Sequence, residues 1–468
     1  MAPLDTAQTT TAKTGPSDAL ARFAADLRFE DIPANVLDRA RLHILDGAGL
    51  GLASTQFPFA GPTIDAVCAL GEGSSAIIGS NVTGTLRDAA MANGVLIHGL
   101  DFDDTHQQAI VHPTAAVMPT MLAIGQARAT SGREALAAYC IGMEIAVRIG
   151  AAVQAGFHHT GFHATGVIAH FSSAVTAGRL MGSDAAQHVA AMGIAGSTAS
   201  GIQVFLEEGA WTKRLHPGWA AAAGITAATL AQSGFKAPTR VFEGRFGLFH
   251  THLHEHAENV DYSYLTDGLG ERWMMADTAL KPYPVCHFIH GAADAAAELH
   301  PQIGGTEITK VEIRLPKDTL PIVAEPIEQK RNATNEYEAK FSAPFVVAAM
   351  LLRGRFGLPD LTDAALADAD TRAVAARCSC EVDPDTRWPD YFSGGVKVTL
   401  SDGRVLEAHV PVNSGAGERQ LDVDGVTKKY MMNAGLAIDD SRAHHIRDLI
   451  LGLEDNDVAT LMGTLGGA

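Results

Sequence analysis

Between His98 and Thr120 the sequence reads HGLDFDDTHQQAIVHPTAAVMPT, three aspartates and three histidines set between two strongly apolar segments. Ionisable side chains gathered where two helix-like stretches meet can bind an anion or move protons. Asp101 and Thr105 are four positions apart and on a helical turn would share a face, while Pro113 disfavours helical geometry at His112 and leaves that histidine at a junction. Helix capping by the aspartates and the threonine is the structural alternative. A divalent ion held by Asp and His is another, disfavoured because no second cluster has ligand spacing.

A second stretch, GFHHTGFHATGVIAHFSSAVTAG, carries His158, His159, His163 and His170. A single histidine beside an apolar helix is ordinarily a core residue. His163 differs by position: it follows Gly161 and precedes the helix, which places it at an N-terminus where the dipole attracts anions and depresses an imidazole's pKa. Two lysines also have unusual company. Lys213, in GAWTKRLHPGWAAAAG, lies among Trp211, Leu215 and Trp219, and Lys281, in ADTALKPYPVCHFIHGAADAA, sits in an uncharged run. A desolvated ammonium binds a carboxylate strongly or serves as an acid–base; the alternative is a lysine snorkelling at a domain edge.

The elements that must hold these residues are mostly helical. From residue 17 to 278 the pattern predicts a helical domain: DIPANVLDRARLHILDGAGLGLAS has Pro33 at a helix start and small residues suited to close helix contacts, and SGREALAAYCIGMEIAVRIGAAV opens on a Ser131/Glu134 capping box. Residues 279–407 read as a smaller α+β unit, with ITKVEIRLP alternating at strand period and GGVKVTLSDGRVLEAHVP forming a hairpin that turns at Asp402-Gly403. Residues 408–468 are helical again and are expected to return to the first domain, making it discontinuous. Residues 1–16 read as a polar tail, with neither the basic start nor the apolar run of a signal peptide. The fold class expected is mainly α with a smaller α+β domain.

Composition narrows the partners. A chain of 468 residues, 47% hydrophobic and 19% charged, fits a folded enzyme of two or three structural units. A formal net charge of -18 without a basic run argues against nucleic acid, and means that an anionic substrate needs a local positive pocket. Five scattered cysteines read as reduced cytoplasmic thiols rather than a disulfide framework, a zinc ribbon or an iron–sulfur site. No uninterrupted apolar run reaches the roughly 18 residues of a membrane span.

Taken in order, HGLDFDDTH with VHPTAAVMPTMLA, GFHATGVIAHFSSAVTAGRLMG, WTKRLHPGWAAAAG, LKPYPVCHFIHGAADA and EAKFSAPFVVAAMLL resemble the MmgE/PrpD family over nearly the whole chain. That family includes 2-methylcitrate dehydratase, cis-aconitate decarboxylase and iminodisuccinate epimerase. The resemblance implies a discontinuous helical domain, a lid-like α+β domain, a cofactor-free and metal-free site between them, and a homodimer. It matches site positions to Asp101, Thr105, His112, His163, Lys213 and Lys281. Asp101 would orient a histidine, Thr105 would hydrogen-bond substrate, the lysines would bind carboxylates, and the two histidines would act as acid and base; His158 and His170 are expected to be bystanders. The decarboxylase branch is expected to carry a lid tyrosine, and here Ile327 falls at that place. The first expectation is therefore a lyase of the 2-methylcitrate dehydratase type acting on a small di- or tricarboxylate. An epimerase and a decarboxylase are the alternatives within the fold, and a catalytically silent carboxylate-binding protein is the alternative outside enzymology.

Overall fold

The computed structural model describes residues 15–467. The expected polar tail lies outside the described residues apart from its last two positions, of which Pro16 opens the helix Pro16–Asp26. The fold is mainly α with a smaller α+β part. Its centre is the helix Gly132–Val153, every side chain of which is buried from Ala135 onward. This helix is long and apolar enough to cross a membrane, with a mean hydropathy of 1.6, but 94% of that window is covered by neighbouring elements. Its one buried ion pair is fully satisfied. Arg148 Nε donates to Glu144 at 2.7 Å, the rest of the guanidinium donates to the carbonyls of Tyr264, Asp267, Gly268 and Arg272, and Glu144 accepts the N–H groups of Met274 and Met275. Buried charge persists only with such partners, and here they tie residues 264–275 to the core. Ser131 caps this helix by accepting the Glu134 N–H, but the reciprocal half of the expected capping box is missing because the Glu134 carboxylate pairs with Arg179.

Small residues set the distances that matter for function. Gly94 on the helix Leu86–His98 faces Gly218 on the helix Thr212–Gln232: a Cβ on Gly94 would run into the backbone of Gly218, and one on Gly218 into the carbonyl of Met91. That close approach brings the start of the second helix, with Lys213, against the turn that follows the first.

The α+β part holds a four-stranded sheet in the order Cys378–Val382, Ile308–Leu315, Gly394–Leu400, Val405–Val410, the first pair parallel and the others antiparallel. Val311, Ile313 and Leu315 point inward in the alternation the sequence predicts, Ile308 is buried across a register shift between it and Lys310, and Gly403 turns the hairpin with φ 89°. The last strand runs past residue 407, so the sheet continues beyond the boundary expected there. The helices His290–Ile303 and Ala343–Arg353 pack together beside this sheet. The chain then returns: Val423–Ala434 lies along Ala34–Ser54, with Tyr430 seated over Gly49. A two-residue antiparallel pairing of Asp104–Thr105 with Ala279–Leu280 joins the two parts and fixes Lys281 opposite the loop of Asp101.

Candidate active site

Asp101 follows the helix Leu86–His98 in a turn, at φ 52°. A non-glycine residue in the left-handed region is strained and persists only where its surroundings hold it. Here Lys213 Nζ lies 2.8 Å from Asp101 Oδ2, and Lys281 Nζ lies 2.7 Å from Oδ1 and 2.9 Å from the backbone oxygen. Burial opposes charge on Asp101, but the two ammonium groups outweigh it and hold the carboxyl well below the usual range. For Lys281 burial likewise opposes charge, and Asp101 with Asp103 overturns it, raising the pKa. Neither lysine snorkels: Lys281 is fully buried and Lys213 is 7% exposed.

The residues from 101 to 105 do not form a helical turn. Asp104 and Thr105 are in the short strand, so Asp101 and Thr105 reach the same pocket from a turn and a strand rather than from one helical face. Pro113 caps the helix Thr114–Arg128, and His112 stands at the junction before it. His112 Nδ1 lies 2.6 Å from the Asp104 carbonyl and 3.0 Å from Thr105 Oγ1. A carbonyl can only accept, so the proton of neutral His112 is on Nδ1 and Nε2 keeps its lone pair. His163 is the N-cap residue of Ala164–Met181, and its Nδ1 lies 3.0 Å from Nδ1 of His216. One proton sits between those two nitrogens.

These side chains line one pocket of about 510 Å³, its open mouth included. The wall contains Asp101, Thr105, His112, His163, Lys213 and Lys281, all six of the positions matched from the sequence, and is completed on the apolar side by Phe205, Phe288 and Phe341. His158, expected to be a bystander, also lines it, its ring 6.5 Å from that of His163; His170 does not, and binds the Gly166 carbonyl instead. Ile327 lies outside the wall, to which the α+β part contributes Ile322 alongside Lys281, His287, Phe288 and Phe341. Polar groups additional to the sequence reading are Gln203 and His287 in the wall itself and, next to wall residues, His216 on His163 and His98, whose Nδ1 donates to Asp103 at 2.7 Å. His98 and Asp103 stand in the quoted stretch, five apart across a turn whose geometry spacing alone does not reveal.

Burial depresses His98, His112 and His163 well below the ordinary imidazole value. For His98 the Lys213 ammonium adds to the effect, for His163 His216 adds to it, and for His112 Asp103 works against it. Before substrate enters, the imidazoles are neutral and two ammoniums face Asp101 and Asp103. An anion placed among these groups would reverse the balance by favouring imidazolium. Nitrogens of His98, His112 and His163 come within 4.8 Å of one another, a spatial cluster that the linear spacing does not show. This donor set has room for a divalent ion, but both oxygens of the neighbouring Asp101 are committed to ammonium groups, whose charge favours an anion in the same space.

Known proteins resemble this chain over nearly its whole length. The MmgE/PrpD N-terminal domain matches residues 18–260 and the MmgE/PrpD C-terminal domain matches residues 283–455. The chain is 27% identical to a human cis-aconitate decarboxylase over 96% of its length and 94% of that protein's. It is 26% identical to the cis-aconitate decarboxylase of Aspergillus terreus, over 97% and 96% of the two chains. A cis-aconitate decarboxylase-like protein of Aspergillus oryzae is also 26% identical, over 96% of each chain. With one domain match covering more than half of the chain and the other most of the remainder, this protein belongs to the MmgE/PrpD family.

Proposed function

We propose that the chain is a lyase that decarboxylates a small unsaturated tricarboxylate of the cis-aconitate kind, using its own side chains and no metal or organic cofactor. The observation that carries this reading is Asp101 gripped by Lys213 and Lys281 in the wall that also holds His112 and His163. The relatives' names favour carbon dioxide loss over the dehydration first expected.

In this reaction the bond from the chain carbon to the leaving carboxylate breaks and carbon dioxide departs. The electron pair spreads into the remaining unsaturated acid, which becomes enediolate-like beside a second carboxylate. Lys213, Lys281 and Thr105 meet that growing negative charge in a water-poor site, where fixed cations and donors are most effective. A histidine then protonates the carbanionic carbon. His163 suits this role: once bound carboxylates favour its imidazolium, it carries a proton on Nε2 while Nδ1 stays hydrogen-bonded to His216. His216 is half-buried and joins Nδ1 of His163 to the solvent side of the site.

Dehydration is the second reading, favoured by Ile327 standing where the decarboxylase branch is expected to carry a lid tyrosine. His112 Nε2 would then take the proton beside the carboxylate, and the hydroxyl would leave as water. A homodimer and a cytoplasmic location belong to the same proposal; the five cysteines are all unpaired, as in a reducing compartment. The test is a panel of cis-aconitate, citrate, 2-methylcitrate and iminodisuccinate, with released carbon dioxide, alkene absorbance and optical rotation followed together. Carbon dioxide equal to substrate consumed supports decarboxylation. Alkene without carbon dioxide means dehydration, racemisation means epimerase, and tight binding without turnover means a silent binding protein.

A further inference from the structure

We infer that His287 is an additional substrate-binding residue, a neutral hydrogen-bond donor whose tautomer is fixed by Asn413. This rests on the polycarboxylate reading of the pocket. His287 opens the turn His287–Ile289, is 3% exposed and lines the pocket beside Lys281 and Cys286. Its Nε2 faces away from solvent toward Nδ2 of Asn413 at 2.9 Å.

The orientation of that carboxamide is decided by a third group. Asn413 Oδ1 accepts the backbone N–H of Phe392 at 3.2 Å, so the NH2 end is the one turned toward His287. An NH2 group only donates, hence Nε2 must accept and the single proton of neutral His287 is on Nδ1. Nδ1 is buried and has no partner among the described residues. Burial, with His290 and Lys281 nearby, also keeps this imidazole from charging. A buried N–H without an acceptor, in the wall of a pocket shaped for carboxylates, lacks only an oxygen, and a substrate carboxylate supplies it. Asn413 lies in the segment that leaves the sheet, so the α+β part sets the tautomer of a residue in the site.

The experiment has two arms. Neutron diffraction from deuterium-exchanged crystals of the parent protein is expected to show a deuteron on Nδ1 and none on Nε2 of His287, and the Asn413→Asp variant is expected to gain one on Nε2. A deuteron on Nε2 of the parent overturns the inference, whatever the enzyme's substrate proves to be. In the kinetic arm, parent turnover of cis-aconitate is established first, and its failure counts against the polycarboxylate reading alone. His287→Phe is expected to lower kcat/KM about 10- to 100-fold, chiefly through KM, as loss of a donor to a charged oxygen does. His287→Asn, whose NH2 falls near the position of Nδ1, is expected to recover most of that loss. A Phe variant as active as the parent, or an Asn variant no better than Phe, overturns the donor role.

Discussion

Replacing Lys281 with methionine keeps the stem's apolar packing and deletes only the ammonium. In the parent, that group is fully buried and bonds two oxygens of Asp101, at 2.7 and 2.9 Å. Breaking a buried pair costs about 3–5 kcal/mol because the remaining charge is left uncompensated. Asp101 keeps Lys213 at 2.8 Å, so the lower end, about 3 kcal/mol, applies. Spread over an unfolding entropy of about 2.1 cal/mol/K per residue for 468 residues, this loss lowers the thermal midpoint by about 3 °C. Turnover should fall further, by about 10²- to 10³-fold, the usual effect of removing one group that stabilises developing negative charge. Differential scanning calorimetry gives the first quantity and steady-state consumption of cis-aconitate the second. A variant within 1 °C of the parent midpoint that also retains turnover within about 3-fold would refute both the pairing and its role.

The remaining predictions concern the other parts of the site. Turnover is expected to survive exhaustive chelation; loss with EDTA and rescue by one divalent ion would show that the imidazole cluster of His98, His112 and His163 holds a working metal. His112→Asn and His163→Asn are each expected to remove most turnover and His158→Asn to impair it, whereas His170→Gln, outside the pocket, should leave kcat/KM unchanged. Burial lowers His106, His158 and His170 to about 4, so between their unfolded value of about 6.5 and pH 4 the unfolded chain binds more protons. Stability is therefore full above about pH 6.5 and falls as pH drops toward 4; urea titrations across that window should show proton uptake on unfolding, and His170→Gln should reduce it by about one proton.

How much of this was legible beforehand differs from one part of the site to the next. Helical period, the Asp402-Gly403 turn and the strand alternation from Val311 to Leu315 are local properties, and each reappears in the fold. The pairing of Lys213 and Lys281 with one carboxylate is not local. It depends on Gly94 meeting Gly218 and on Asp104–Thr105 pairing with Ala279–Leu280, contacts between residues far apart in sequence. His98 and Asp103 were visible as residue types, but the left-handed turn at Asp101 that brings them together leaves no periodic trace. Asp101 and Thr105 reached the expected pocket by an unexpected route, because a spacing of four is shared by a helical turn and by a turn leading into a strand. The place of His158 in the wall is hidden for a related reason: side by side with His159 in a short helix, only the packing against His163 decides which of the two faces inward.

The central claim is that this pocket stabilises a carbanion beside a carboxylate and returns a proton to it from a side chain. Turnover of cis-aconitate in deuterium oxide, with the product analysed by NMR and mass spectrometry, tests it most directly. The account predicts one deuterium per product molecule, on the carbon left by carbon dioxide or its allylic partner, delivered to a single face, and a rate that collapses when Lys281 is replaced with methionine. Product free of carbon-bound deuterium, or labelled equally on both faces, would contradict it.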